Sequence, residues 1–122
     1  MADHNILGKK GEELALRYLK DNGYKILETN WRFKHKEVDI IAREGNEICF
    51  IEVKTRSSDK WGSPEESVTV KKRKLLINAA RAYVENMDCM CEVRFDVIAV
   101  ITDGEQHTIK HIRQAFIAGI DG

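Results

Sequence analysis

Two short apolar runs, Glu37-Val38-Asp39-Ile40-Ile41 and Phe50-Ile51-Glu52-Val53-Lys54, flank a turn-like Gly45-Asn46 and carry four ionisable groups at alternate positions. A charge inside an apolar strand is costly unless something binds it. A two-residue hairpin at Gly45-Asn46 would oppose residues whose numbers sum to that of the pair Glu44 and Glu47. Asp39 then faces Glu52, and Glu37 faces Lys54. The period of two places all four side chains on one face, with opposed Cβ atoms about 5 Å apart.

Two carboxylates at that separation repel each other, and a hard divalent cation such as Mg²⁺, which takes carboxylate oxygens and keeps several waters, would convert the repulsion into a binding site. Lys54 adds a positive charge beside it. A metal, an activated water and a lysine are what phosphodiester hydrolysis requires. The spacing alone leaves a second reading open: a solvated hairpin face on which Glu37 and Lys54 form a cross-strand ion pair.

The chain resembles a known family over about Gly8 to Val100. An Asp-bearing strand, a turn, and a strand ending Glu-x-Lys form the signature of the PD-(D/E)XK nuclease superfamily, the restriction-endonuclease-like fold. More narrowly, the chain resembles the YraN-like family of small bacterial proteins, itself similar to archaeal Holliday-junction resolvases. The matching segments are Gly8-Lys9-Lys10-Gly11-Glu12 with Ala15 and Tyr18-Leu19, then Gly23-Tyr24, Asn30-Trp31-Arg32, Glu37 to Ile41, Phe50 to Arg56, and Arg94-Phe95-Asp96-Val97. Lys36 stands where the family usually has glycine, a departure that touches only the local turn.

This resemblance implies an α/β fold with a restriction-endonuclease-like core, a mixed sheet with helices on both faces, and the order αβββαβ. It implies Mg²⁺ or Mn²⁺ on Asp39 and Glu52, with the Val53 carbonyl as a further ligand. Lys54 would be catalytic, and Glu37 and Glu12 supporting acids. The implied function is nucleic-acid binding with divalent-metal-dependent, endonuclease-like hydrolysis of DNA, ahead of RNA, with branched DNA in view. A homodimer would let two active sites address two strands. The alternative is a non-catalytic nucleic-acid-binding or scaffold module that retains the fold.

Periodicity reads along the same lines. A helix is expected over Asn5–Asn22, stopped by Gly23, with Leu7, Gly11, Leu14, Ala15, Tyr18 and Leu19 on one stripe. Glu12 lies at the edge of that stripe and Glu13 points away. By geometry alone Glu12 reads as a helix-start carboxylate favoured by the dipole, or as a solvated one, ahead of a site residue; it is the resemblance that gives it a functional role. Strands are expected over Tyr24–Phe33, Glu37–Arg43 and Glu47–Thr55, then a polar loop from Thr55 to Pro64, a helix over Thr69–Met87 and a strand over Glu92–Thr102. A right-handed crossover should set that last strand parallel to one of the meander. The tail 109–122 shows no assignable pattern, and the core is placed at about 5–102 of a single domain, 1–122.

The net charge of zero argues against a generic nucleic-acid coat protein. Its distribution is uneven. Residues 1–84 carry 17 basic and 13 acidic side chains, an excess of four positive, and 85–122 carry 3 and 7, an excess of four negative. Lys71, Lys72, Arg73 and Lys74 open the second helix, where cations oppose the dipole. Lys71, Lys72 and Lys74 are read either as phosphate contacts or as a solvated run. Thr55 and Arg56 extend the Glu-x-Lys strand toward backbone phosphate. Arg94 and Asp96 read as a structural ion pair, and Trp31 and Trp61 as packing ahead of base stacking. Three cysteines suggest reduced thiols in a cytoplasmic protein, and Cys89-Met90-Cys91 lacks a second Cys/His pair at zinc spacing. No apolar stretch is long enough to span a membrane, and the N-terminus does not read as a signal peptide.

Overall fold

Gly45 adopts a φ of +59°, a conformation an L side chain rarely takes, and places it at the first central position of the turn, as in a type II′ hairpin. The hairpin closes between β2 (Lys36–Glu44) and β3 (Glu47–Arg56). Its pairs run from Glu44↔Glu47 to Ile40↔Ile51, the register read from the sequence. The computed structural model describes residues 2–57, 68–87, 90–103 and 105–117.

The helix α1 (Ala2–Asp21) precedes β1 (Lys25–Phe33), and α2 (Val70–Glu85), β4 (Glu92–Thr102) and β5 (His107–Phe116) follow the hairpin. The five strands form one sheet in the order β1-β2-β3-β4-β5. Only β3 and β4 are parallel, joined by the crossover through α2, while all other neighbours are antiparallel. The expected mixed α/β architecture is present. It carries one strand more than the expected order, because the unassigned tail contains β5.

Each face of the sheet has its own core. Leu76, Ala79 and Ala80 of α2 pack on Ile41, Ile48, Phe50, Phe95 and Val97. Ala15 and Leu19 of α1 pack on Ile40, Ala42, Cys49, Ile51, Ile98 and Val100 of the other. Alternation along β3 and β4 therefore reads as continuous apolar sequence because both faces are covered. Gly23, at φ +87°, ends α1 as expected, with Tyr24 N–H returning to the Leu19 carbonyl at 2.9 Å. Thr69 caps α2 by accepting from Lys72 N–H.

The face alternation of β2 fails at one place. Val38 packs on the α2 side, yet Ile40, two residues on, packs on the α1 side, so the alternation slips at Asp39. Across from it, between the pairs Thr29↔Ile40 and Trp31↔Val38, Asn30 has a φ of +50°. The β2–β3 ladder also ends at Ile40↔Ile51, so the strict placement of Glu37, Asp39, Glu52 and Lys54 on one regular face is corrected here. Beyond that pair the Asp39 carboxylate replaces a ladder partner, accepting from Val53 N–H at 2.8 Å.

Among the cysteines, Cys49 is a buried free thiol and Cys91 is disulfide-bonded, which corrects the expectation of reduced thiols at Cys91. No helix among the described residues is long and apolar enough to cross a membrane.

Candidate metal centre

The gap left where β2 and β3 part is a pocket of about 300 Å³, lined by Asp39 from β2, residues 52–56 from β3, and Leu7, Gly8 and Glu12 from α1. The helix reaches it because Gly11 has no side chain: a Cβ there would overlap the Thr55 hydroxyl of β3. The next residue, Glu12, is half-buried over the site, whereas Glu13 is exposed.

Glu52 is the most unusual group in the pocket. It is 6% exposed, and among the described residues its Oε1 has no hydrogen bond. Two ammonium groups form ion pairs with it: Lys54 Nζ is 3.4 Å from Oε2 and Lys72 Nζ is 3.6 Å from Oε1. Attractions at such distances are on the order of 4 kcal/mol gross, comparable with the several kcal/mol that burying each ion costs. The pairs therefore roughly offset the burial of Glu52 without satisfying its oxygen.

Asp39 is strained in the same sense. Burial first, then the adjacent Glu52 charge, push its carboxyl up to about 7, against the stabilising Val53 N–H. Glu12 is also raised, chiefly by burial and further by Glu37 and Glu52, while the Asn30 side chain pulls the other way through a hydrogen bond. Asp39 and Glu12 thus share a small volume with the buried Glu52, and its crowding raises them both. A divalent cation between Asp39 and Glu52 would relieve that crowding.

The donor set suits Mg²⁺ or Mn²⁺. Among the described residues no three His, Cys, Asp or Glu side chains converge as a closed ligand cage. A magnesium site is commonly built from one or two carboxylates, waters and substrate phosphates, which is what Asp39 and Glu52 can offer. The Val53 N–H points to Asp39, and the carbonyl of the same strand residue shares that side, beyond the end of the β2–β3 ladder.

The remaining sequence candidates divide. Glu37 pairs with Arg32 of β1 at 3.6 Å. It does not pair with Lys54, which is engaged with Glu52, because the strands have parted before reaching them. The Thr55 side chain meets Gly11, and Arg56 lines the pocket while its NH1 donates to the Thr55 carbonyl at 3.1 Å. Lys71 and Lys74 are exposed, whereas Lys72 turns inward. Trp31 packs against Phe33 and Tyr83, and Trp61 lies outside the described residues. Asn30 and Gly11 belong to the site's architecture without having been read as such. For Asn30 the only signal was its place in the matched segments, whereas Gly11 also stood on the inward stripe of the first helix.

A second polar cluster lies near the turn end of the hairpin. Asp96, fully buried, accepts from Arg94 NH2 at 2.8 Å and Gln114 N–H at 3.1 Å, and meets His111 Nε2 at 2.7 Å. Arg94 also binds Glu44, Glu47 and the Tyr24 hydroxyl. His111 Nδ1 meets the Tyr18 hydroxyl at 3.0 Å. Every charged group here has partners, the mark of structural cross-linking between β4, β5 and the hairpin. The ion-pair reading of Arg94 and Asp96 holds. A cleft of about 310 Å³ lined by Ile77, Val84, Val93 and Phe95 carries no carboxylate.

Comparison with known proteins places the chain. The model of "Uncharacterised protein family UPF0102" matches residues 11–100. The chain is 47% identical over 116 residues to a UPF0102 protein of Flavobacterium psychrophilum, covering 95% of this chain and 98% of the relative. It is 49% identical over 116 residues to one of Christiangramia forsetii, with the same coverage. A Chlorobium chlorochromatii relative is 47% identical over 116 residues, covering 90% of each. Matched over most of its length by both kinds of comparison, the chain belongs to the UPF0102 family, the YraN-like proteins.

Proposed function

We propose that this protein is a divalent-metal-dependent phosphodiesterase of restriction-endonuclease-like fold, acting on nucleic acid and on DNA ahead of RNA. The observation that carries the reading is the buried Glu52 with an orphaned oxygen, set against an Asp39 carboxyl pushed to about 7 in an open pocket. A structural ion pair would leave neither feature. The fully satisfied Arg94–Asp96 cluster in the same sheet shows the contrast.

Asp39 and Glu52 would hold Mg²⁺ or Mn²⁺, with the Val53 carbonyl beside them. When bound, the cation supplies charge stabilisation to the phosphoryl oxygens and acidifies a water. Lys54, at the pocket wall, would orient the attacking water and counter the negative charge that develops on the phosphoryl group. Glu12, raised by burial, accepts or holds a proton at its carboxyl over the pocket. Glu37 acts at the rim through its charge, and Arg56 is placed to contact backbone phosphate. Lys71 and Lys74 extend a positive surface along α2.

Branched DNA is the substrate that the resolvase resemblance favours, with a symmetric dimer supplying two sites. The test is calorimetric titration with Mn²⁺, followed by cleavage assays on labelled linear, branched and single-stranded DNA and RNA. Metal binding with cleavage is the expected result. Nucleic-acid binding without metal binding or cleavage would instead favour a non-catalytic module.

A further inference from the structure

The four cations that open α2 do not form one patch. Lys71 and Lys74 face solvent, and Arg73 donates to the Val68 carbonyl while lying over the Phe116 ring. Lys72 follows a different course. Its backbone N–H is held by the Thr69 cap at 3.2 Å, which fixes the rotation of the first turn. Leu76, four residues on, is fully buried, and residues four apart share a helix face. Lys72 therefore lies over the sheet, with its ammonium 3.6 Å from Glu52 Oε1.

We propose that Lys72 is a second lysine of the metal centre: a counter-ion to Glu52 while no metal is bound, and a contact to the phosphoryl oxygens once cation and phosphodiester are in place. The proposal rests on the nuclease reading above and changes the role of this residue from a surface contact to part of the site.

Charge supports the exchange. With Asp39, Glu52 and Glu12 ionised, three negative charges meet the three positive charges of Lys54, Arg56 and Lys72. A divalent cation then leaves a surplus of two positive charges, which favours an incoming phosphodiester monoanion. The cation also takes over the neutralisation of Glu52, and Lys72 is then free to turn to the incoming anion. It is poised for that move, because it sits within ion-pair range of Oε1 yet makes no hydrogen bond to it. A cation in the first turn of a helix opposes the dipole. An anion at the site, first Glu52 and then phosphate, compensates in both states.

The experiment compares Lys72→Ala, Lys72→Arg and the control Arg81→Ala, an exposed cation of the same helix, with wild type, each checked for a native circular-dichroism spectrum. Mn²⁺ titration by calorimetry should show Lys72→Ala binding about threefold to tenfold tighter, since a competing cation has gone. Arg81→Ala should match wild type. Single-turnover cleavage at saturating Mn²⁺ should fall about 10- to 100-fold in Lys72→Ala, as for loss of one transition-state contact, with partial recovery in Lys72→Arg. If wild type binds Mn²⁺ and Lys72→Ala behaves as Arg81→Ala, the role of Lys72 is overturned and the nuclease reading stands. If wild type binds no Mn²⁺ at all, the nuclease reading fails and takes this proposal with it. If metal binds but nothing is cut, the affinity change still decides whether Lys72 is the counter-ion of Glu52.

Discussion

Gly11 of α1 lies directly against the Thr55 hydroxyl of β3, with no room for even a methyl group between them. This contact sets the distance between the helix that carries Glu12 and the strand that carries Glu52 and Lys54. Gly11→Ala should push α1 off the sheet and cost about 1–3 kcal/mol, as overpacking does. Gly8, on the same helix with nothing within 4 Å, provides the control. Gly8→Ala should stabilise the helix by up to about 1 kcal/mol. Urea titrations of the two variants should move in opposite directions, and equal shifts would refute the contact's role.

The elevated Asp39 carboxyl predicts a pH dependence with a definite sign. Its folded value, about 7, lies above its ordinary 3.8. The stability it contributes is therefore complete below about pH 4 and is lost as the pH rises through about 7 in metal-free protein. Metal binding should strengthen over the same range, because cation and proton compete for the carboxylate. Asp39→Asn should flatten the stability profile and abolish Mn²⁺ binding. Thermal melts from pH 5 to 8, with chelator and with Mn²⁺, check both statements.

Lys54→Ala leaves both carboxylates in place while removing the ammonium 3.4 Å from Glu52. Cleavage should fall by about two to three orders of magnitude, the scale for deleting one charge-stabilising group, with Mn²⁺ affinity equal to or tighter than wild type. Loss of metal binding instead would make Lys54 a structural support for Glu52.

The Asp96 cluster should behave in the opposite way with pH. Burial works against its ionised form, but hydrogen bonds from His111 and Arg94 outweigh it and hold the carboxyl below its usual range. Its contribution is present above the unfolded value of about 3.9 and is lost as the pH falls through the lower folded value. Arg94→Ala strands the buried Asp96 and should cost about 3–5 kcal/mol, measured as a shift of the urea midpoint at pH 7. A loss below about 1 kcal/mol would show that the cluster is not cross-linking the sheet.

The sequence carried the hairpin register because Gly45-Asn46 fixes it locally, and the α1 stripe and crossover because their periodicity is strong. It did not carry the break at Asp39. That slip lies across from Asn30 of β1, whose positive φ leaves no mark in an alternating pattern. Extrapolating the register across the break produced a Glu37–Lys54 pairing that does not form. The inward turn of Lys72 was hidden for a similar reason: a run of four cations looks uniform until the cap fixes its rotation. The strand β5 escaped because it is an edge. Only one of its residues, Phe116, is buried, and its pairing with β4 shifts register between Phe95 and Val97, so its apolar positions do not alternate.

The parallel pairing of β3 with β4 also bears on the order in which the protein assembles. Glu47 pairs with Glu92, 45 positions later in the chain, so this ladder must close a long loop before it contributes anything, and such contacts slow folding. The β2–β3 hairpin closes over two residues and forms early. A chain emerging from the ribosome would thus bring the strands of Asp39 and Glu52 together before β4 and α2 arrive. A divalent ion present during synthesis would meet the two carboxylates while both are still solvated, before the cost of burying them arises.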